Sequence, residues 1–245
     1  MILVDPHNPR ATLLCEKLRP FLEDIPLTTI IGGDGWMLHC IRTNHHERPF
    51  LGLNAGTLGF LMNDIQDLDS LISELKNRAW DIFHFPQIHT SGMRTDNTTF
   101  EASALNDVYL ARREGSAANL RIEIDEICIV EKLICDGVVV STSLGSTAYS
   151  SSAGGSPSHP LLRAFHITPI CAHTPRLRSF VVPQTARIQI TTLHPERRPT
   201  QAVSDGVSHG EAKRLSISCD TQEVQIAFLK SHNFTEKMVR KVLLS

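Results

Sequence analysis

The chain has 245 residues, 41% of them hydrophobic and 20% charged, with a formal net charge of −2. That length fills one large domain or two smaller ones with their own cores, and the composition is that of a globular protein. The near-neutral balance excludes a general nucleic-acid binder, which would carry a basic excess. No segment approaches the ~18 apolar residues that argue for a membrane span.

Residues 1–5 read as a first strand, without the basic start and long apolar core of a secretion signal, so a cytoplasmic protein is expected. A helix follows over 10–22, with Leu13, Leu14 and Leu18 on one side. Residues 27–31 are an apolar strand, Gly32-Gly33-Asp34-Gly35 a turn, and 35–43 a helix. Another short strand covers 50–53. A helix over 64–77 carries Ile65, Leu68, Ile72 and Leu75 at 3.6-residue spacing. Alternation of this kind predicts a Rossmann-like parallel sheet with helices on its faces, an α/β nucleotide-binding domain over 1–84.

From about residue 85 the texture changes. Segments 104–110, 120–124, 127–131, 137–142, 180–182, 187–192 and 215–218 read as strands separated by turn residues. A β-rich domain over 85–220 is expected. Residues 222–229 suit a last strand. Phe234, Met238 and Val242 recur every four residues, which predicts an amphipathic C-terminal helix packing back on the first domain. Residues 221–245 would thus return to that domain.

The cysteines Cys15, Cys40, Cys128, Cys135, Cys171 and Cys219 show no C-x-x-C spacing, so no zinc or thioredoxin-type site is expected. Most sit in apolar runs, which predicts buried free thiols in a reducing cytosol. His45-His46 lies in a polar stretch and reads as a solvated loop. No H-E-x-x-H pattern is present, and no metal held by the protein alone is expected.

The glycine turn carries the first chemistry. A strand, a glycine-rich turn and a helix start bring backbone N–H groups to an anion, and Gly33 and Gly35 let a phosphate come close. Asp34 would repel phosphates unless it serves a cation or takes a proton from a hydroxyl, both phosphoryl-transfer roles. An ordinary β-turn has the same composition. A second glycine turn lies within 54–61, where a plain strand-to-helix loop is the simpler reading. Asn106 offers donors and an acceptor that suit an adenine edge, and Asp107 accepts in pairs, which suits ribose hydroxyls. The same pair suits a turn before a strand. The stretch 136–155 is the richest: an apolar strand runs into a loop dense with hydroxyls and glycines, including Ser143, Thr147, Ala148, Tyr149, Ser150, Ser151 and Ser152. Such a loop offers neutral donors to a polyanion, and Tyr149 an aromatic face. A flexible linker is the competing reading. Asp205-Gly206 is a strong hairpin-turn signal and reads first as that.

In this order the segments resemble the NAD kinase family, most closely its compact bacterial members. The matching stretches are 32–35, 54–61, Asn106-Asp107, 136–155, 167–171 with His173 and Pro175, and Asp205-Gly206. Gly-Gly-Asp-Gly alone is shared with phosphofructokinases and with diacylglycerol and sphingosine kinases; the 136–155 combination is far more specific. The resemblance implies transfer of the γ-phosphate of ATP to the 2′-hydroxyl of the adenosine ribose of NAD, with Mg2+ or another divalent metal on the triphosphate. It makes Asp34 the proton acceptor. It makes Asn106, Asp107 and residues 147–152 the holders of adenine and ribose, and Asp136 a contact to the nicotinamide half, often across a subunit interface. A homodimer or homotetramer is therefore expected, with neither membrane nor nucleic acid as partner. The chain departs from the family pattern at Asp107 for Glu, at Ser143-Leu144 for a Pro-containing pair, at Ser156 after Gly154-Gly155, and at Val207 for a polar residue. A lipid or sphingoid-base kinase and a non-catalytic NAD sensor are the alternatives.

Overall fold

A computed structural model describes residues 1–44, 47–56 and 59–240. The chain divides into two compact units: residues 1–85 with 223–245, and residues 86–222. Among the described residues no helix is long and apolar enough to cross a membrane.

The first unit alternates strands and helices: β1 (Ile2–Val4), α1 (Pro9–Leu22), β2 (Thr28–Gly32), α2 (Asp34–Thr43), β3 (Phe50–Asn54) and α3 (Leu68–Lys76). β1 pairs with β2, and β2 with β3, both in parallel. Residues 226–227 of a later strand extend the sheet beside β3, also in parallel. β2 is buried at every position, as a central strand covered on both faces must be. Asn8 starts α1, its side chain accepting from the N–H groups of Arg10 and Ala11, with Pro9 at the first helical position. The helix expected over 64–77 is shorter. Asp67 caps it by accepting from the Ser70 N–H at 2.8 Å, and Asp64 is drawn away to other partners.

β4 (Trp80–Arg94) leaves the first unit. The second unit then holds β5 (Thr99–Ala104), β6 (Asp107–Arg112), β7 (Ala118–Ile124), β8 (Ile127–Cys135) and β9 (Gly137–Thr142). A short 3-10 turn (Gly145–Thr147) and α4 (Tyr149–Ser152) follow, then β10 (Ala164–Ile170), β11 (Phe180–Pro183), β12 (Ile188–Thr192), β13 (Thr200–Ser204) and β14 (Val207–Leu229). One antiparallel layer runs β13-β6-β9-β10-β11, and another runs β8-β7-β12-β14. Their inner faces share one core, with Val108, Leu110, Val138, Val140 and Phe165 from the first layer and Leu120, Ile122, Leu133, Ile190 and Leu215 from the second.

The structure refines these expectations. The segments 215–218 and 222–229 are one strand, β14, because no Gly or Pro interrupts 211–229. The 143–155 stretch winds into the 3-10 turn and α4, against the competing flexible-linker reading. The C-terminal helix forms and belongs to the first unit as expected; among the described residues α5 (Phe234–Met238) has Phe234 and Met238 half-buried and, unforeseen, Lys237 buried; Val242 and His45-His46 lie outside the described residues. Cys15, Cys40 and Cys135 are buried free thiols, but Cys171 is exposed.

α5 belongs to the first unit. The Phe234 ring packs edge-on against Phe83 at 5.4 Å and Phe228 at 4.7 Å between centroids. Phe228 also meets Phe83 and Phe85 and is 1% exposed. Aromatic clusters of this kind carry a large buried area. Phe228→Ala is expected to cost about 3–5 kcal/mol of stability, read as a lower midpoint in chemical denaturation.

Candidate active site

In the first unit, β2 delivers the chain to Gly33, which caps α2 with its backbone in the extended region (φ −121°). Asp34 is the first helical residue. Its two carboxylate oxygens accept one N–H each, from Phe60 at 2.7 Å and Leu61 at 3.1 Å. Gly59 makes this possible, because a Cβ there would stand 2.9 Å from Asp34 Oδ1. The negative charge of Asp34 also suits the start of a helix. A Cβ at Gly33 or Gly35 would meet no heavy atom within 4 Å among the described residues. Packing among the described residues therefore gives no reason for either glycine. Of the second glycine turn, Thr57 and Leu58 lie outside the described residues.

In the second unit, the β13–β14 hairpin turns on Asp205 (φ 43°) and Gly206 (φ 78°). Two successive left-handed residues make the tight turn that Asp-Gly favours. The turn aims Asp205 at the segment before β6. Its carboxylate accepts from the N–H groups of Leu105 at 2.7 Å, Asn106 at 2.9 Å and Asp107 at 3.1 Å. Asn106 returns its carbonyl to the Thr142 N–H at 2.9 Å, and the Thr142 hydroxyl donates to the Leu105 carbonyl at 2.7 Å. Gly145 then passes so close that a Cβ would overlap the Asn106 backbone. Asn106, Asp107 and the start of the hydroxyl-rich loop are thereby drawn together.

Asp107 is 5% exposed. Burial, and then the neighbouring Asp205 charge, push its carboxyl up to about 7. The Tyr149 ring meets Tyr109 edge-on at 5.0 Å, and burial raises the Tyr149 phenol, with the Asp107 charge adding to it. Tyr149 thus stays a neutral hydroxyl donor at ordinary pH. Asp136 pairs with the Arg112 guanidinium at 2.7 Å, half-buried, which fixes its carboxylate at the entrance of β9. The loop hydroxyls divide. Ser150 is buried and bonds Thr168 Oγ1 at 2.8 Å, and Ser143 is buried with its hydroxyl near the Ala164 carbonyl at 3.5 Å. Those two side chains are committed inside the protein. Thr147, Ala148 and Ser151 are half-buried, and Tyr149 and Ser152 are exposed.

Sequence reasoning missed the part played by Asp205. Its Asp-Gly signal was visible as a turn, but nothing local says that its carboxylate reaches residues 98 to 100 positions earlier. It also missed the inward latch in which Ser146 accepts from the Ser158 N–H at 2.9 Å and Ser158 Oγ meets His166 Nε2 at 2.8 Å.

The raised Asp107 carboxyl sets a pH dependence. Its ordinary value is 3.8, so folding raises it. The favourable contribution is complete below that value and is lost as pH rises through about 7, where the folded state must bury a charge. Asp107→Asn, neutral and isosteric, removes the dependence. The variant is expected to gain stability over the parent chain, by a few kcal/mol, as pH is raised from about 5 to about 8 in denaturation experiments.

A family model described as the ATP-NAD kinase C-terminal domain matches residues 105–227. The NAD kinase of Rickettsia typhi (strain ATCC VR-144 / Wilmington) is 33% identical over 224 residues, covering 90% of this chain and 86% of its own length. That of Rickettsia bellii (strain OSU 85-389) is 30% identical over 247 residues, covering 98% and 96%. Among solved structures, yeast NADH kinase complexed with NADH matches with a TM-score of 0.78 and 26% identity, over 89% of this chain and 66% of that one. An NAD kinase from Archaeoglobus fulgidus in complex with ATP shares the fold, with a TM-score of 0.81 at 22% identity over 99% and 98% of the two chains. On this family model and these relatives, matched over nearly its full length, the chain belongs to the NAD kinase family.

Proposed function

We propose that this chain, an NAD kinase by family, transfers the γ-phosphate of ATP to the 2′-hydroxyl of the adenosine ribose of NAD with Asp34 as the proton acceptor. The observation that carries the role of Asp34 is its carboxylate at the start of α2, steadied by two backbone N–H groups beside glycines that packing does not require.

The remaining roles follow from chemistry. The Asn106 amide reads the adenine edge, and Asp107 accepts from ribose hydroxyls in its ionised form. Tyr149 offers its ring face and hydroxyl, and residues 147–152 supply backbone and hydroxyl groups. Ser143 and Ser150 contribute through their backbone, since their side chains are spent internally. Gly33 and Gly35 admit the phosphates. Asp136, anchored by Arg112, meets the nicotinamide half. Family members use that position across a subunit interface, which supports a homodimer or homotetramer. Six free thiols support a cytoplasmic setting.

Among the described residues no three His, Cys, Asp or Glu side chains gather into a metal site. Asp34, the carboxylate of the glycine turn, is the side chain that would meet a divalent ion such as Mg2+ brought in on the triphosphate. When bound, it offsets charge on the transferring phosphoryl group. An ordinary carboxylate is a weak base for a free hydroxyl, so Asp34 takes the proton as the phosphoryl group moves, and the chain supplies rate mainly by holding the hydroxyl in line.

Asp34→Asn keeps the size and removes the base. Turnover of NAD and Mg-ATP to NADP is expected to fall at least ~10²-fold, while NAD binding by calorimetry persists. Undiminished turnover in that variant would remove Asp34 from the role. Binding without turnover in the parent chain would instead indicate a sensor of NAD.

A further inference from the structure

Lys237 is the buried residue of α5, with its side chain 6% exposed. Burying an ammonium is costly, and an apolar residue at that place would pack at lower cost. α5 has anchors other than Lys237. Asn233 caps it by accepting from the Glu236 N–H at 3.0 Å, and Phe234 anchors it among Phe83 and Phe228. The ammonium does something more specific. It donates to the Met62 carbonyl at 2.5 Å and pairs with Asp64 at 3.3 Å. Asp64 in turn accepts from the Asn54 amide at 2.7 Å. Between them, Asn63 donates to the Gly52 carbonyl at 2.9 Å and accepts from the Leu229 N–H at 2.8 Å. The segment 62–64 is therefore pinned on three successive residues. The two residues before it, Phe60 and Leu61, supply the N–H groups that hold Asp34.

We infer that Lys237 is a positioning residue for phosphoryl transfer: from the C-terminal helix its ammonium fixes the segment whose backbone N–H groups orient the Asp34 carboxylate. The inference rests on Asp34 as the proton acceptor. Without the ammonium the segment can drift, and a small drift of two N–H donors turns the carboxylate away from the attacking hydroxyl. Misplacement of this order costs rate and leaves the binding of NAD untouched.

The test uses the full chain with Mg-ATP and NAD. Lys237→Met is expected to lower kcat about 10-fold while KM for NAD stays within about 2-fold. The deciding readout is a double-mutant cycle. If Lys237 acts through Asp34, Lys237→Met has no further effect on kcat in the Asp34→Asn background. A merely structural loss lowers kcat by the same factor in both backgrounds, and that result would overturn the inference. So would an unchanged kcat in Lys237→Met, or a raised KM for NAD with kcat intact. Should Lys237→Met fail to fold, Asp64→Asn removes the ion pair and keeps the Met62 contact. Its expected fall is about 3-fold in kcat, again absent beside Asp34→Asn, and equal kcat to the parent overturns the inference. A parent chain that makes no NADP would sink the proposed function itself, whereas a parent that makes NADP and matches its Lys237 variants removes only the positioning role.

Discussion

The Asp205 carboxylate gathers three consecutive backbone N–H groups, those of Leu105, Asn106 and Asp107, and the second unit's functional surface depends on it. Hydrogen bonds to a charged acceptor are among the stronger ones, and three on one side chain leave the segment little freedom. With 105–107 fixed, the Asn106 carbonyl is in place for Thr142, and Gly145 can pass against the Asn106 backbone. The arrangement has a cost. It sets a second carboxylate close to the buried Asp107, whose carboxyl is pushed up to about 7 by burial and by that charge.

The first unit uses the same chemistry for a different end. Asp34 also accepts backbone N–H groups, from Phe60 and Leu61. There the carboxylate is the part to be oriented, and the segment is the support. A support must itself be held, and Asn54, Asn63, Asp64 and Lys237 form a polar network around it. Partly satisfied networks of this kind are costly, while fully satisfied ones specify one geometry.

Much of the fold was legible in the sequence because hydrophobic period reports local geometry. The alternating strands and helices of the first unit and the short β-branched runs of the second came from spacing alone. The element ends did not. α3 starts at Leu68 because Asp67 caps it, while Asp64 is claimed by Asn54 and Lys237 from elsewhere in the chain. The C-terminal helix was visible as a helix, and its Phe234 packs among Phe83 and Phe228 as the period implies, but the fully buried residue beside it is a lysine. Period reveals which face turns inward; it does not reveal that a carbonyl and a carboxylate wait there.

The sequence by itself determined the family resemblance and the local motifs behind it: a carboxylate in a glycine turn, an Asn-Asp pair before a strand, and a hydroxyl-rich loop after one. These signals are local, since a turn needs its glycines and a phosphate needs its N–H groups within a few residues. Only the tertiary structure decided which hydroxyls face inward, as Ser143 and Ser150 do, and which carboxylate organises the others. The bonds of Asp205 to 105–107 and of Lys237 to Met62 join residues 98 to 175 positions apart. Such contacts follow from strand order and the burial of polar groups, and no local pattern encodes them.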